Sequence, residues 1–333
     1  MSSDSTQIHG TSTSASPKGS AVFETLIESL GDHHELNIFF GHFDVLPIIL
    51  VDNGLHVYAN AASMEAAGAF TLHHGHPVRK ADPEGASQPF DLSITNLVAY
   101  QFLAIALILV LFGLVRKRYI KKPTAAPTGL QNMLESVVLY VRDQIVRPNV
   151  GTERRTERLM PLLISFFFFI LTLNLIGLLP GAHAATGALG VTMALALVSF
   201  FTVNYVAIRD AGIKAWFHHL LGGAPWYMFI IMVPIEIVSL FTKPFALMIR
   251  LFANMTAGHI VLLSLVGLIF FFENWVVTPI SVGFSIFIYM LELLVAFLQA
   301  YIFAMLTAVF IGLALGEHAT HDSHHSDDLT SAH

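Results

Sequence analysis

Residues 236–259 read EIVSLFTKPFALMIRLFANMTAGH. The stretch is apolar enough to sit in a bilayer, yet it carries Glu236, Lys243 and Arg250. An arginine at the centre of a membrane helix costs about 2.5–3.5 kcal/mol on insertion scales, so an intramembrane arginine points to function by default. Arg250 has no acid near it in sequence: the next ionisable positions are His259, nine residues on, and Glu292 in a later apolar segment. A helix turns about 100° per residue, so Glu236, Lys243 and Arg250, spaced seven apart, share one slowly drifting face, and Asn254 stays near it. His259 points to roughly the opposite side, and Glu292 and Gln299, seven apart, share a face of the last helix. His and Glu side chains can change protonation when burial tunes them, whereas a guanidinium stays charged. Titratable groups relay protons and a permanent cation blocks them. The layout therefore predicts two polar routes separated by a fixed positive charge. An arginine that only snorkels, or only holds two helices together, is the plainer alternative, and the further polar residues around Arg250 argue against it.

Composition sets the solvent for these residues. Of 333 residues, 55% are hydrophobic and only 12% charged, with a mean hydropathy of +0.67. A soluble domain carries about 25% charged residues, so the chain reads as an all-α polytopic membrane protein. With no cysteine there is neither a disulfide framework nor a thiolate metal site. Ten of the 17 Lys and Arg residues lie between Arg116 and Arg158. That basic block flanks membrane spans, and membrane topology accounts for it without any nucleic acid.

Along the chain, residues 1–93 read as an extracytoplasmic extension. It is partly disordered over the Ser- and Thr-rich first twenty residues and partly helical from Ala21 to Leu30. The run Leu46–Val51 is too short to cross a bilayer. HHGH at 73–76 reads as a solvated loop, because no acid or cysteine nearby completes a tetrahedral metal set. Residues 94–316 form the membrane domain. Its first span, Ile94–Val115, ends in RKRYIKK, which marks the cytoplasmic side and leaves the N-terminus outside. Residues 130–147 carry an apolar stripe (Leu130, Met133, Leu134, Val137, Val138, Val141, Ile145). It suits an amphipathic helix lying on the membrane surface or packed against the spans. Leu159–Leu179, with one amide at Asn174, and Val191–Ile208 are the second and third spans. Trp226–Phe272 and Val276–Leu315 follow. The latter is 40 residues long, about 60 Å as a helix against a hydrocarbon core of about 30 Å. The last two helices must therefore tilt steeply, bend, or run beyond the core. Five crossings place the C-terminus in the cytoplasm. The polar, His-rich residues 317–333 read as a disordered tail.

Three segments, KPFALMIRLFANMTAGH around Arg250, TLNLIGLLPG near Asn174 and FLQAYIFAMLTAVFIGLALGEH at the end, closely resemble subunit a of F-type ATP synthases. The likeness runs from about Asp91 to His318. It implies a stator channel subunit of the F0 sector that translocates protons through two offset half-channels and does no phosphoryl chemistry itself. It also implies partners: a ring of c subunits, the b-type peripheral stalk and membrane lipid. By this resemblance Arg250 would face the ring's carboxylate, with Asn254 and Gln299 lining the site. His259 and Glu292 would act as a pair in the outer half-channel. Their residue types are exchanged relative to many bacterial members, as in mitochondrial ones. Glu236 would line the cytoplasmic half-channel and Asn174 would sit near the outer one. The sequence departs from the family at Ala253, where Gly is usual, and at Ala188 and Gly190, where Asp and Asn are frequent. No cofactor and no metal is implied, and the location expected is the bacterial plasma membrane.

The absence of a GxxxxGK[ST] phosphate loop agrees with a non-catalytic role. The alternative reading is a metal-ion transporter, suggested by 17 histidines. No internal repeat is visible, however, and His259 has no second histidine at i+4. A purely structural anchor would have no need of an arginine buried in an apolar run.

Overall fold

The computed structural model of the chain describes residues 36–38, 41–43, 46–52, 54–73, 76–80, 89–121, 123, 126–179, 184–214, 229–272 and 276–330. The expected helix over Ala21–Leu30, the turn at Pro180-Gly181 and the loop carrying His218 and His219 lie outside these residues. So do the side chains of His33, His34, His73, His74 and His76, and those of the C-terminal histidines.

The extension is a small α/β unit. Strands β1 (Leu36–Ile38) and β2 (Gly41–Phe43) pair antiparallel. Strands β3 (Ile48–Val51) and β4 (Leu55–Tyr58) form a hairpin, followed by the short helix α1 (Ala61–Ala66) and the hairpin β5 (Phe70–His73) and β6 (His76–Arg79). Strand β7 (Phe90–Asp91) adds to β3, giving the order β4-β3-β7. The run that is too short to span a membrane is thus a strand. Its Ile48 and Leu50 pack with Ala61, Met64 and Phe70 in a separate core. Asn60 caps α1, accepting from the Ser63 N–H at 2.8 Å. The Arg79 guanidinium grips the Asp52 carboxylate with two hydrogen bonds and ties the end of β6 to that of β3.

Among the described residues, five helices of the membrane domain are long and apolar enough to cross a bilayer. They are α2 (Asn96–Lys121), α5 (Glu153–Gly177), α6 (Leu189–Ala211), α7 (Phe229–Phe272) and α8 (Val277–Thr330). Between α2 and α5 the apolar stripe folds as α3 (Leu130–Tyr140), a π-helical turn over Val141–Val146 and α4 (Arg147–Val150). Pro148 has no N–H with which to continue the α-helical ladder, and Gly151 ends the segment at φ 84, a conformation that favours glycine. Val141, Ile145, Val146 and Val150 are buried against α5 and α8, whereas Leu130 and Met133 are 45% and 57% exposed, so the second half of the segment packs on other helices and its first turn stays open. The backbone of α8 stays helical to Thr330, through the polar stretch read as a tail.

The core lies between α5 and α8. On α8 the small residues Ala296, Ala300, Ala304 and Ala308 recur every fourth position and are fully buried. Such a stripe lets helix backbones approach closely where no hydrophobic force drives helices together. Aromatic rings fill the rest: Phe166 meets Phe303 edge-on at 5.4 Å, and Phe167 meets Phe297 at 5.7 Å. The buried Ser199 hydroxyl on α6 lies 2.9 Å from Thr307 on α8. Thr307 in turn donates to the Phe303 carbonyl, so Ser199 is the donor of that pair. At the basic end, Asp210 of α6 pairs with Arg155 at 3.3 Å and Arg158 at 3.0 Å on α5.

Arg79 holds the Asp52 carboxyl below its ordinary range, chiefly through the hydrogen bond. A folded-state pKa depressed in this way contributes stability that is complete above the ordinary carboxylate pKa and is lost as pH falls through the lowered one. The extension of the wild-type chain should therefore loosen under acid. In Arg79→Ala, the protection factors of the amides in β3 and β6 should already be lower at neutral pH and should change little in mild acid. Equal protection in both chains from neutral pH down to the acid range would contradict this role for the pair.

Candidate functional site

Arg250 is the middle residue of the apolar span Ile231–Ile269, nineteen residues from either end. Its side chain is exposed on the isolated chain, and among the described residues nothing pairs with it. The residues nearest to it on the same side of the helix, Ala246, Ala253 and Asn254, are exposed as well, whereas Phe241, nine residues earlier, falls on the opposite side and stacks on Phe200 of α6 at 6.0 Å. Lys243, two turns earlier, lies over the ring of Phe310 on α8 at 5.6 Å, a cation–π contact. Glu236, a further seven residues back, is half-buried and has no partner among the described residues.

Beyond Arg250, α7 and α8 run antiparallel and their polar side chains meet in register. Asn254 Nδ2 donates to Gln299 Oε1 at 2.9 Å. Farther along, His259 Nδ1 lies 2.7 Å from Glu292 Oε1. The rotation of an ideal helix separates His259 from Arg250, and the two environments differ accordingly: the guanidinium is exposed, whereas the imidazole and carboxylate side chains are only 15% and 4% exposed. His259 Nε2 lies 3.2 Å from the Gly177 carbonyl. A carbonyl can only accept, so Nε2 carries a proton. One further proton then lies on the Nδ1–Oε1 line, held by the ring or by the acid. Glu292 Oε2 is buried with no hydrogen-bond partner among the described residues.

Asn174, fully buried, donates to the Ala296 carbonyl at 3.2 Å and accepts from the Thr186 hydroxyl at 2.7 Å. It thereby fixes α5, the turn before α6 and α8 around the histidine–glutamate pair. The structure thus groups Asn254 with Gln299 and His259 with Glu292 and sets Asn174 behind α8, while Arg250 and Glu236 have no partner among the described residues.

The family model described as ATP synthase A chain matches residues 98–312, well over half of the chain. ATP synthase subunit a of Chloroherpeton thalassium is 48% identical over 237 residues, 71% of each chain. ATP synthase subunit a 2 of Prosthecochloris aestuarii is 43% identical over 311 residues, covering 85% of this chain and 94% of that protein. ATP synthase subunit a of Pelodictyon phaeoclathratiforme is 44% identical over 290 residues, 83% of each chain.

Several site residues escape a reading of the sequence. The carbonyls of Gly177 and Leu178, at the end of α5, receive His259 Nε2–H and, at 3.1 Å, the Tyr289 hydroxyl. These are carbonyls that a helix end leaves without internal partners. Ser281 and Ser285 carry buried hydroxyls with no partner among the described residues, and they share the face of α8 that bears Glu292. Elsewhere Ser136, Ser165, Thr202, Thr242 and Ser264 turn back to the carbonyl four residues earlier. Gly258 has a recognisable signal, since it directly precedes His259. A Cβ there would strike Glu292, coming 2.9 Å from its Cδ. In Gly258→Ala the chain should still insert, but the carboxylate must move off the imidazole. Infrared spectroscopy with isotope-labelled glutamate should then show a shifted Glu292 carboxyl band. An unchanged band would mean that the glycine is not needed for the contact.

Proposed function

The chain belongs to the ATP synthase A chain family, and from that premise we propose how its residues carry protons. It is the proton-channel subunit of the F0 sector, a multi-pass protein of the bacterial inner membrane. The reading of a metal-ion transporter finds no support in the comparisons. Subunit a moves protons and leaves phosphoryl transfer to other subunits.

The observation that carries the assignment of roles is the guanidinium at the centre of α7, exposed on a side where no acid stands among the described residues. A charge left at that depth requires a counter-charge from elsewhere. A carboxylate on a ring of c subunits, sweeping past the outward face of α7 and α8, supplies it. The exposed apolar side chains of both helices, among them Phe245, Ile249, Leu294 and Leu298, are the surface on which such a ring would glide. Arg250 attracts the ionised carboxylate, favours release of its proton, and separates the two half-channels electrostatically. Asn254 and Gln299, bonded to each other, hold the polar wall beside it. His259 and Glu292 form the outer relay, with Ser281 and Ser285 on the approach from the start of α8 and Asn174 fixing the frame. Glu236 lines the route on the opposite, cytoplasmic side. The b-type stalk subunits would hold the chain against rotation. The N-terminus would lie outside and the C-terminus in the cytoplasm. A proton crossing between the two routes exchanges about 2.3 kcal/mol per 100 mV of membrane potential, which is the work the rotor receives.

Arg250→Ala should abolish ATP-driven acidification of inverted vesicles, while the complex still assembles with its c-ring. Full acidification by the variant would overturn the role given to Arg250. For the outer relay, His259→Glu alone and Glu292→His alone should each reduce pumping by more than tenfold, taking about 1.4 kcal/mol per factor of ten. The reciprocal double substitution restores one imidazole facing one carboxylate and should recover a clear fraction of the rate. A double variant no better than either single one would show that the pair does not act as a unit.

A further inference from the structure

The sheet of the extension is apolar on both faces. Ile48 and Leu50 point into the small core, so Ile49 and Val51 point outward. Pairing places Leu55, Val51 and Phe90 in one row across β4, β3 and β7. Val57 stands opposite Ile49 in the next row, and Leu92, whose N–H bonds to the Ile49 carbonyl, continues it. Leu55 is 68% exposed, Phe90 67%, Val57 62% and Leu92 54%. An antiparallel sheet with one face in water alternates apolar and polar residues. Here no polar side chain stands among the outward positions of the two rows. Contiguous apolar patches of more than a few hundred Å² mark interaction sites.

The position of the sheet tells what meets this face. No linker separates it from the first span. The Ile49 N–H bonds to the Ser93 hydroxyl at 3.0 Å, the Ile94 N–H bonds to the Pro47 carbonyl at 3.2 Å, and α2 begins at Asn96. Twenty residues from Asn96 reach Val115, next to the basic run at Arg116. At about 1.5 Å per residue that is the thickness of the hydrocarbon core, so the bilayer boundary falls close to Asn96. Leu92 lies four residues away, within about 13 Å at strand rise, and Phe102 and Leu103, lower on α2, are also exposed. The face also lacks the Tyr, Trp and Arg anchors on which protein interfaces concentrate their binding energy.

We propose that the outer face of the β4-β3-β7 sheet seats in the headgroup–acyl boundary of the bilayer beside α2. The bound partner is the lipid surface itself, and the extension is a monotopic brace for the first span. This inference is independent of the proton-transfer reading.

The chain contains no cysteine, so single-cysteine variants can be spin-labelled directly. Full-length Leu55→Cys and Phe90→Cys, with Glu65→Cys on α1 as the exposed control, would be reconstituted in phosphatidylglycerol–phosphatidylcholine vesicles. The ratio of collisions with oxygen to collisions with a water-soluble nickel chelate should be severalfold higher at positions 55 and 90 than at 65. A ratio equal to the control's would place the face in water. Low collision rates with both reagents would show that protein covers it, whether another subunit or residues 1–35 of this chain. Either result overturns the proposal.

Discussion

A positive charge that cannot be discharged, held in the middle of the apolar span of α7 with no counter-ion among the described residues, is the constraint on which the rest of the structure depends. Arg250 is costly in lipid, and α7 does nothing to hide it: its neighbours on the same side, Ala246, Ala253 and Asn254, are small or polar and exposed. The chain is therefore electrostatically incomplete by itself. That incompleteness suits a part that works against a moving partner, since an internal salt bridge would cancel the attraction such a partner must feel.

The titratable groups are treated in the opposite way. His259 and Glu292 are paired, buried and braced, and their surroundings are made of groups with little freedom. The Gly177 carbonyl sets which imidazole nitrogen is protonated. The missing side chain at Gly258 leaves room for the carboxylate. Asn174 ties three elements together behind them. These contacts together hold the imidazole and the carboxylate at 2.7 Å. The alanine stripe of α8 contributes to the same end, because only small residues let α8 approach α5 closely enough for the Asn174 amide to reach the Ala296 carbonyl.

Outside the channel the structure uses ordinary means. The basic end is clamped by Asp210 between Arg155 and Arg158. The second half of the amphipathic segment after α2 packs on α5 and α8, with a π-helical turn where Pro148 denies the next hydrogen bond. The extension has its own small core and its own ion pair, and it is joined by backbone hydrogen bonds to the residues just before α2.

The sequence by itself determined which segments leave water, which residues on each helix share a face, and that Arg250 sits at mid-membrane without a local acid. These are consequences of composition and of the 3.6-residue helical period, and both are local properties of the chain. Only the tertiary structure decided that His259 meets Glu292 across 33 residues, that a carbonyl at the end of α5 completes the imidazole's contacts, and that the run Leu46–Val51 is a strand with an apolar outer face. Those outcomes depend on how closely two helices approach and in what register strands pair. Side-chain volume and backbone hydrogen bonding between distant segments set both, and neither leaves a periodic trace in the chain.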